Sequence, residues 1–449
     1  MAKHVAVIGA GIAGARCAQV LSLNGMSVSV FEARNRLGGR VAESNKLGKP
    51  LDLGPNWLHG NTDANPISQF CKKIAKLHDV GDNGLIISPD GAPFSDDKVA
   101  KIEQYLWKYV ELAIKHSKAH KDTIDPDLSF YQYVSGRVQI DYPRDKETQA
   151  HVLLAIEVFG FYTGTDIREQ SVKFAMLEEP GEGENLFIAS GCVQVFDHIA
   201  REALVNCNVY MNSIVKGITT ACKSVYVELN SGERHEFDAV VCSIPLGCLK
   251  HNTIRFSPKL PTRARRAIGS LGYGTLEKAY LRFPVQFWDK DYMEFLGPEY
   301  ASTEKWPMTA ISIAHLPEPY AQNVLLFYLY GDMSIAFLNL RTDNEKINFF
   351  QPFYSRIPGF DKTNKLHSPN AVLSTSWSQD QFAGFGSYSN FQIGLTDGEN
   401  DIDTLRAGFP EQRVWLAGEH CTTPSLLATI GGAYESGQHA AELVVGSLK

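Results

Sequence analysis

The amino-acid sequence predicts an α/β fold in which a parallel-sheet domain is interleaved with a second, mixed domain. The chain opens with an apolar segment, a glycine-rich turn, a helical segment and a second apolar segment, as a βαβ unit does. Its 449 residues exceed the size at which a single hydrophobic core stops growing. Strand-like segments return near residues 209–243, after a polar, aromatic and helix-rich stretch at about 80–185.

A nucleotide-binding unit is predicted for the first forty residues. Apolar residues indicate a buried strand over His4–Ile8 and a second strand over Ser27–Phe31. Between them, a glycine-rich turn leads into a helix that should reach about Asn24, with Gly25 as its C-terminal cap. This order of elements predicts a Rossmann-like domain.

The turn has the sequence GAGIAG, residues 9–14, which suits the close approach of a diphosphate. Gly9 permits a tight turn, Gly11 lets the backbone approach a pyrophosphate, and Gly14 lets the helix pack on the strand. The helix N-terminus then faces the anion. Glu32, eighteen residues after Gly14, is placed to accept hydrogen bonds from ribose hydroxyls. These residues predict dinucleotide binding.

The segment after the second strand, residues 32–40 with the sequence EARNRLGGR, favours FAD over a nicotinamide dinucleotide. Arg34 and Arg40 are predicted to pair bidentately with the diphosphate, and Gly38 and Gly39 allow backbone close to it. A simple nicotinamide fold does not need such a basic, double-glycine loop. The alternative interpretation is a solvated turn.

This fingerprint with its RLGGR loop resembles the flavin-containing amine oxidase family, which includes polyamine oxidases, monoamine oxidases and histone lysine demethylases. Three later blocks agree with the resemblance, at residues 53–60, at residues 272–281 and at residues 377–433. The four blocks span almost the whole chain and are most similar to polyamine oxidases. The resemblance implies bound FAD and oxidation of an amine, with O2 reduced to H2O2.

Two discontinuous domains follow from the resemblance and the composition. Residues 1–79, 186–272 and 389–449 should form the Rossmann-like FAD-binding domain. Residues 80–185 and 273–388 should form an α+β substrate-binding domain built on a mixed sheet.

The FAD contacts implied by the resemblance come from all four blocks. Ser387 stands where monoamine oxidases attach their flavin through a cysteine, so the FAD should be non-covalent. The implied cofactor-binding residues are Gly9, Gly11, Ala13, Gly14, Glu32, Ala33, Arg34, Gly39, Arg40, Gly54, Pro55, Asn56, Trp57, Val215, Trp377, Gly418, Glu419, Thr429, Ile430 and Ala433.

Oxidation of an amine sets a physical requirement on the pocket. An alkylamine has a pKa of about 10, so at pH 7 the neutral form that gives up hydride costs roughly 4 kcal/mol. A carboxylate beside the reacting nitrogen would increase that cost, which predicts an aromatic pocket with acids farther away. Trp57, Trp377 and Tyr388 lie in flavin-adjacent blocks and supply such rings.

Three residues are implied as catalytic: Lys278, His59 and Tyr388. Lys278 matches the family lysine that holds a water against flavin N5 and promotes reoxidation by O2, whereas a bare strand lysine would point to solvent. His59 matches a position in the substrate tunnel, and a packing histidine is its alternative. Tyr388 matches an aromatic residue beside the flavin.

The substrate-binding residues implied by the resemblance should line a tunnel to the flavin. Thr429 stands where monoamine oxidases have a second cage tyrosine, which puts the two-aromatic sandwich in doubt. Glu178 and Glu184 belong to an acidic run that either binds a distal ammonium or is a solvated loop. The set is Trp57, His59, Glu178, Glu184, Tyr388 and Thr429.

Composition limits the partners. Forty-three basic and fifty acidic residues give a net charge of −7, which disfavours nucleic acid. The eight cysteines include no CxxC pair, so neither a metal site nor a disulfide framework is predicted, and reduced thiols favour the cytoplasm. We expect no secretory signal and no membrane segment, and interpret residues 209–218 as strand and Val324–Leu340 as two buried strands. A monomer or homodimer is expected.

Three other functions compete with polyamine oxidation, and one of them is amine oxidation in specialised metabolism. An L-amino acid oxidase would need an arginine facing the substrate carboxylate, and the sequence identifies none there. A chromatin-associated flavoprotein without catalysis would keep FAD as a structural element. The intact block around Lys278 and the lack of a heptad-rich insertion argue against it.

Overall fold

The structure, a computed structural model, describes residues 2–80, 84–88, 91–179, 181–297 and 307–449. The strands are β1 (His4–Ile8), β2 (Ser27–Phe31), β3 (Glu43–Ser44), β4 (Leu51–Asp52), β5 (Trp57–Leu58), β6 (Leu77–His78), β7 (Gly84–Ile86), β8 (Leu186–Ile188), β9 (Asn208–Tyr210), β10 (Val215–Ala221), β11 (Ser224–Leu229), β12 (Arg234–Phe237), β13 (Ala239–Cys242), β14 (Arg255–Ser257), β15 (Gly272–Tyr273), β16 (Glu277–Arg282), β17 (Glu294–Gly297), β18 (Met308–Ser312), β19 (Val324–Leu329), β20 (Ala371–Ser374), β21 (Ser389–Asn390) and β22 (Val414–Leu416). The α-helices are α1 (Ile12–Leu23), α2 (Ser68–Ile74), α3 (Asp96–His120), α4 (Phe130–Asp141), α5 (Lys146–Glu157), α6 (Phe159–Thr163), α7 (Cys192–Ala203), α8 (Leu246–Lys250), α9 (Thr262–Ser270), α10 (Gly331–Leu338), α11 (Asp343–Tyr354), α12 (Gly398–Arg406) and α13 (Ile430–Leu448).

A five-stranded parallel sheet with the order β22-β13-β1-β2-β9 forms the first body. Its central strand is buried because Val5, Ala6 and Val7 carry apolar side chains on both faces of the sheet. Helices α1 and α13 pack together beside the sheet. This arrangement confirms the predicted α/β class with a Rossmann-like parallel sheet.

The first turn and α1 are held together by a contact that leaves no room for a side chain. A Cβ atom added to Gly14 would lie 2.0 Å from the carbonyl oxygen of Gly9 and 2.8 Å from Oγ of Ser243. Gly9 itself has a φ of +98°, which glycine adopts without strain. Gly14 therefore does what the sequence predicted for it, which is to let the helix approach the strand.

A six-stranded sheet with the order β20-β16-β19-β18-β17-β7 forms the second body. Helices α3 to α6 follow β7 in the chain. The strands of this sheet fall within residues 80–185 and 273–388, whereas those of the parallel sheet fall outside these ranges. The short pair β15–β21 joins Gly272–Tyr273 to Ser389–Asn390, where the chain passes between the two predicted domains. The division into two domains nevertheless stays a prediction.

Two predicted segments differ from the structure. Val324–Leu340 was expected to form two strands, but β19 ends at Leu329 and α10 follows. Gly331, with a φ of +55°, ends the strand, and Met333 and Phe337 are buried with the spacing of a helix turn. Residues 209–218 are likewise not one strand, because β9 ends at Tyr210 and β10 starts at Val215.

All eight cysteines are free thiols. Among the helices of the described residues, none combines the length and the apolar character needed to cross a membrane.

Replacing Gly14 with alanine should lower the free energy of unfolding by about 1–3 kcal/mol, because the new methyl group overpacks the contact with Gly9. Urea unfolding measures the change. The matched control is Gly136→Ala in α4, where an added Cβ meets nothing within 4 Å. That substitution should be neutral or stabilise by up to about 1 kcal/mol. Equal effects of the two substitutions would contradict the packing role of Gly14.

Candidate active site

A cavity of 760 Å³ lies between the carboxyl-terminal edge of the parallel sheet and one face of the six-stranded sheet. Most of the residues implied by the sequence surround it, although they come from distant parts of the chain. Two do not, because Gly14 packs within the fold and Glu184 is exposed outside the lining. The lining includes Gly9, Gly11, Ala13, Glu32, Ala33, Arg34, Gly39, Arg40, Gly54, Pro55, Asn56, Trp57, His59, Glu178, Val215, Lys278, Trp377, Tyr388, Gly418, Glu419, Thr429, Ile430 and Ala433.

One end of the cavity is a backbone cradle closed by Glu32. The carboxylate of Glu32 is buried and accepts the backbone N–H groups of Ala10 and Arg34, each at 2.8 Å. Gly11 caps the N-terminus of α1 without a side chain, so the first backbone amides of the helix face open space. Each carboxylate oxygen has a further lone pair for a ribose hydroxyl. The cradle fits the diphosphate and ribose of FAD.

The two arginines of the RLGGR loop have acidic partners in the structure. Arg34 forms an ion pair of 2.7 Å with Asp380, and Arg40 forms one of 2.9 Å with Glu419. Arg40 also donates to the carbonyl of Ser387 at 2.7 Å. Both guanidinium groups keep further N–H groups at the cavity, and their pairing with a diphosphate stays a prediction.

The C-terminal block closes the cradle from the other side. Thr429 caps α13, because its hydroxyl accepts the N–H of Gly432 at 3.0 Å and donates to the carbonyl of Leu426 at 2.7 Å. Ile430 and Ala433 follow on the first turn of the helix and line the cavity. The Thr429 hydroxyl is thus used for capping, which leaves its methyl group as the part suited to contact a ligand.

Lys278 projects from β16 into the cavity wall, where three neutral oxygens surround its ammonium. Its Nζ donates to the carbonyl of Gly54, to Oδ1 of Asn56 and, at 3.4 Å, to the carbonyl of Asp52. Burial lowers the pKa of Lys278 to about 8, although the nearby Asp52 opposes the shift. Burial likewise raises the pKa of Asp52, whose carboxylate accepts the N–H of Cys192 at the start of α7.

Glu277, the neighbour of Lys278, points to the opposite side of β16 and orders the next wall segment. It is fully buried and accepts the backbone N–H groups of Trp377 at 3.0 Å and Ser378 at 2.7 Å, together with the hydroxyls of Ser378 and Thr375. Trp377 in turn donates from Nε1 to the carbonyl of Leu53 at 3.1 Å. Sequence analysis assigned no role to Glu277.

Aromatic side chains form the wall beside Lys278. Trp57 donates from Nε1 to the hydroxyl of Tyr328 at 3.1 Å, and that hydroxyl donates to Oδ1 of Asn56 at 3.2 Å. The ring of Tyr328 lies 5.7 Å from Nζ of Lys278. Tyr388 faces the same cavity and donates to the carbonyl of Tyr162 at 3.1 Å. The wall is apolar but carries several fixed hydroxyl groups.

His59 and Glu178 are the titratable groups that the sequence placed in the tunnel. His59 faces the cavity and its Nδ1 lies 3.3 Å from Oδ1 of Asn185, while partial desolvation by the surrounding protein lowers the pKa of the exposed ring. Burial raises the pKa of Glu178 to about 7, and Nε2 of Gln170 donates to it at 3.0 Å. Glu184 lies outside the lining and is exposed to solvent, so a role for it in substrate binding stays a prediction.

A sequence model of the flavin containing amine oxidoreductase family matches residues 12–445. The chain belongs to this family. It is 28% identical to Protein FLOWERING LOCUS D of Arabidopsis thaliana over its whole length, which is 56% of that protein. It is 30% identical to probable polyamine oxidase 4 of Arabidopsis thaliana, over 65% of this chain and 60% of that protein. It is 26% identical to polyamine oxidase 4 of Oryza sativa subsp. japonica, over 98% of this chain and 88% of that protein.

A solved structure of a putrescine oxidase double mutant shares the fold. It superposes with a TM-score of 0.75 at 17% identity and covers 99% of both chains. The chain spans between half and two thirds of the length of several curated relatives, including 52% of lysine-specific histone demethylase 1 homolog 1 of Oryza sativa subsp. japonica. As a flavin-containing amine oxidoreductase, the chain is expected to bind a flavin in the cavity described above.

The lining residues that sequence analysis missed include Trp107, Tyr162, Glu294 and Tyr328. They lie on α3, α6, β17 and β19, outside the family blocks. A signal for Tyr328 exists, because antiparallel pairing places it directly opposite Lys278. No local pattern marks the other three, since only the packing of helices on the sheet brings them to the cavity.

Glu277→Gln should lower the free energy of unfolding by about 1–3 kcal/mol and loosen Trp377, because an amide group would oppose one of the four donors with a donor of its own. Urea unfolding followed by tryptophan fluorescence measures both effects. Glu411→Gln, at an exposed position, is the control and should change nothing. A neutral result at Glu277 would mean that its carboxylate does not order this wall.

Proposed function

We propose that this chain is an FAD-dependent amine oxidase that acts on a polyamine-like substrate with O2 as the electron acceptor. The observation that carries the proposal is the buried Lys278 ammonium, held by neutral oxygens in an aromatic wall of a large cavity. The family membership supports the reaction class. FAD, when bound, would accept a hydride from the carbon beside the amine nitrogen, and O2 would then take up two electrons and two protons to become H2O2.

The FAD is proposed to be held without a covalent bond. The cradle of Gly9, Gly11 and Glu32 would take the adenosine and diphosphate, and the first turn of α13 would face the flavin. Position 387 is a serine, whose Oγ accepts the N–H of Leu276 at 3.0 Å. A hydroxyl in this position offers no thiolate for attachment.

The wall chemistry favours the neutral form of the amine that must react. Trp57, Trp377 and Tyr388 surround the cavity near Lys278 with rings rather than carboxylates, so the reacting ammonium finds no anion that would hold its proton. Glu178, with its raised pKa, and His59, with its lowered pKa, are suited to accept a proton from the arriving amine. The imine product would be hydrolysed by water to an aldehyde and an amine.

The names of several relatives support an amine as substrate. Polyamine oxidases 2 and 4 are among the plant relatives, as are lysine-specific histone demethylase homologues. The first group favours a free polyamine. The open cavity of 760 Å³ has room for an extended aliphatic chain in addition to the flavin ring.

Peroxide release in the presence of a panel of amines tests the proposal. Spermine, spermidine, putrescine, butylamine, a methylated lysine peptide and phenylalanine should be compared on the purified protein. We expect peroxide with the polyamines. Peroxide with phenylalanine alone would replace the proposal with an amino acid oxidase, and peroxide with none of the six would refute it.

Lys278→Met should slow the oxidation of reduced flavin by O2 about 100-fold, because a charged donor beside the developing oxygen anion is lost. Reduction of the flavin by substrate under anaerobic conditions should change much less. Stopped-flow absorbance separates the two half-reactions. Lys115→Met, on the exposed face of α3, is the control. Equal slowing of both half-reactions by Lys278→Met would contradict this role.

The rate of reoxidation should fall as the pH rises through about 8, because Lys278 loses its positive charge there. Below this pH the ammonium is present and stabilises the negative charge that develops on oxygen. Stopped-flow reoxidation from pH 6 to pH 10 gives the profile. The transition should be missing in Lys278→Met, and a profile that is unchanged in that variant would assign the titration to another group.

A further inference from the structure

We propose that Glu294, together with the rings of Tyr162 and Trp107, forms a subsite for a second ammonium group of the substrate. The cavity would then select diamines and polyamines over monoamines. This inference rests on the proposed amine oxidase function and adds a substrate class to it.

Strand register places Glu294 on the same face of the six-stranded sheet as Lys278. Lys278 of β16 lies opposite Tyr328 of β19, and the residue two positions before it, Leu326, lies opposite Ile311 of β18. Ile311 in turn lies opposite Glu294 of β17. Because side chains alternate along a strand, all five face the same side.

The separation between the two ends of this row suits a long substrate. β17 lies three strands from β16, so at about 4.8 Å per strand Glu294 and Lys278 are roughly 14 Å apart across the sheet. Both side chains line the cavity. This spacing separates the two backbones, and the Glu294 carboxylate extends from β17 toward Tyr328, whose pKa it helps to raise. An amine that reacts beside Lys278 would therefore contact Glu294 through a second ammonium group on the same aliphatic chain.

The charge of Glu294 has no cation to balance it in the part of the chain that the structure describes. Its Oε1 accepts the hydroxyl of Thr309 at 2.7 Å, and no described lysine or arginine forms an ion pair with it. Burial raises its pKa, as expected for a carboxylate without a countercharge. A buried acid without a cation is costly, and an incoming ammonium would remove that cost.

Two aromatic rings lie at the cavity beside this acid. Trp107 and Tyr162 both line the cavity, with ring centroids 5.9 Å apart in an edge-to-face arrangement. The Glu294 carboxylate contributes to the raised pKa of Tyr162, after burial, so the two groups lie within electrostatic range. A carboxylate next to aromatic faces is the combination that binds an alkylammonium ion well.

Glu178 does not provide this subsite, because it lies at a different wall. Its charge acts on Tyr388, whose pKa it helps to raise, and Gln170 already donates to it. The Tyr388 hydroxyl donates to the carbonyl of Tyr162, whereas the carboxylates that help to raise the pKa of the Tyr162 phenol are Glu294 and Glu103.

Glu294→Gln tests the subsite through the ratio of kcat/KM for spermidine to kcat/KM for butylamine. We expect kcat/KM for spermidine to fall about 10- to 100-fold, with butylamine changed less than about 3-fold, since one charged hydrogen bond is lost. Glu411→Gln removes the same charge at an exposed position away from the cavity and should change neither value. Bound flavin absorbance and circular dichroism verify folding of each variant.

Trp107→Leu keeps the inference testable if Glu294→Gln does not fold, because Trp107 is 43% exposed. It should lower kcat/KM for spermidine about 3-fold and leave butylamine unchanged. An unchanged ratio in the variants, with turnover retained, would overturn the subsite but not the oxidase. Absence of turnover with every amine in the unmodified protein would instead overturn the oxidase and the subsite together.

Discussion

The cavity depends on backbone segments that approach one another more closely than any side chain permits. A Cβ on Gly14 would lie 2.0 Å from the carbonyl oxygen of Gly9, and a Cβ on Gly54 would lie 2.0 Å from that of Arg40. The first contact sets α1 against the parallel sheet and opens the cradle at its N-terminus. The second contact presses the segment after β4 against the RLGGR loop. It thereby presents the carbonyl of Gly54 to Lys278.

The positions of the charged groups in the cavity wall follow from the alternation of side chains along β16. Glu277 and Lys278 are neighbours on β16 and so point to opposite faces. The Glu277 carboxylate accepts four hydrogen bonds and orders Trp377, while the Lys278 ammonium lies against neutral oxygens at the cavity. The two charges do not neutralise each other, because each is satisfied by its own set of dipoles. A cationic group is thus kept at an otherwise aromatic surface, where it would stabilise negative charge that develops beside it.

The βαβ opening was predictable because its signals are local. Residue types and spacing alone are enough to predict the strand His4–Ile8, the glycine turn and the position of Glu32. The prediction of two strands over Val324–Leu340 was wrong, since a short apolar run does not distinguish a strand from a buried helix. Gly331 divides this segment into one strand and one helix. Glu178 and Glu184 look alike in sequence, yet only Glu178 faces the cavity. Glu294 could not be found at all, because its position depends on pairing between strands distant in the chain.

The visible absorbance spectrum of the purified protein tests the central claim, that this cavity holds FAD without a covalent bond. The account predicts a flavin spectrum that stays with the protein through gel filtration. Acid precipitation should then release all of the flavin into the supernatant, where chromatography identifies it as FAD. A colourless protein that takes up no FAD, or a flavin that remains attached to the precipitate, would contradict the account.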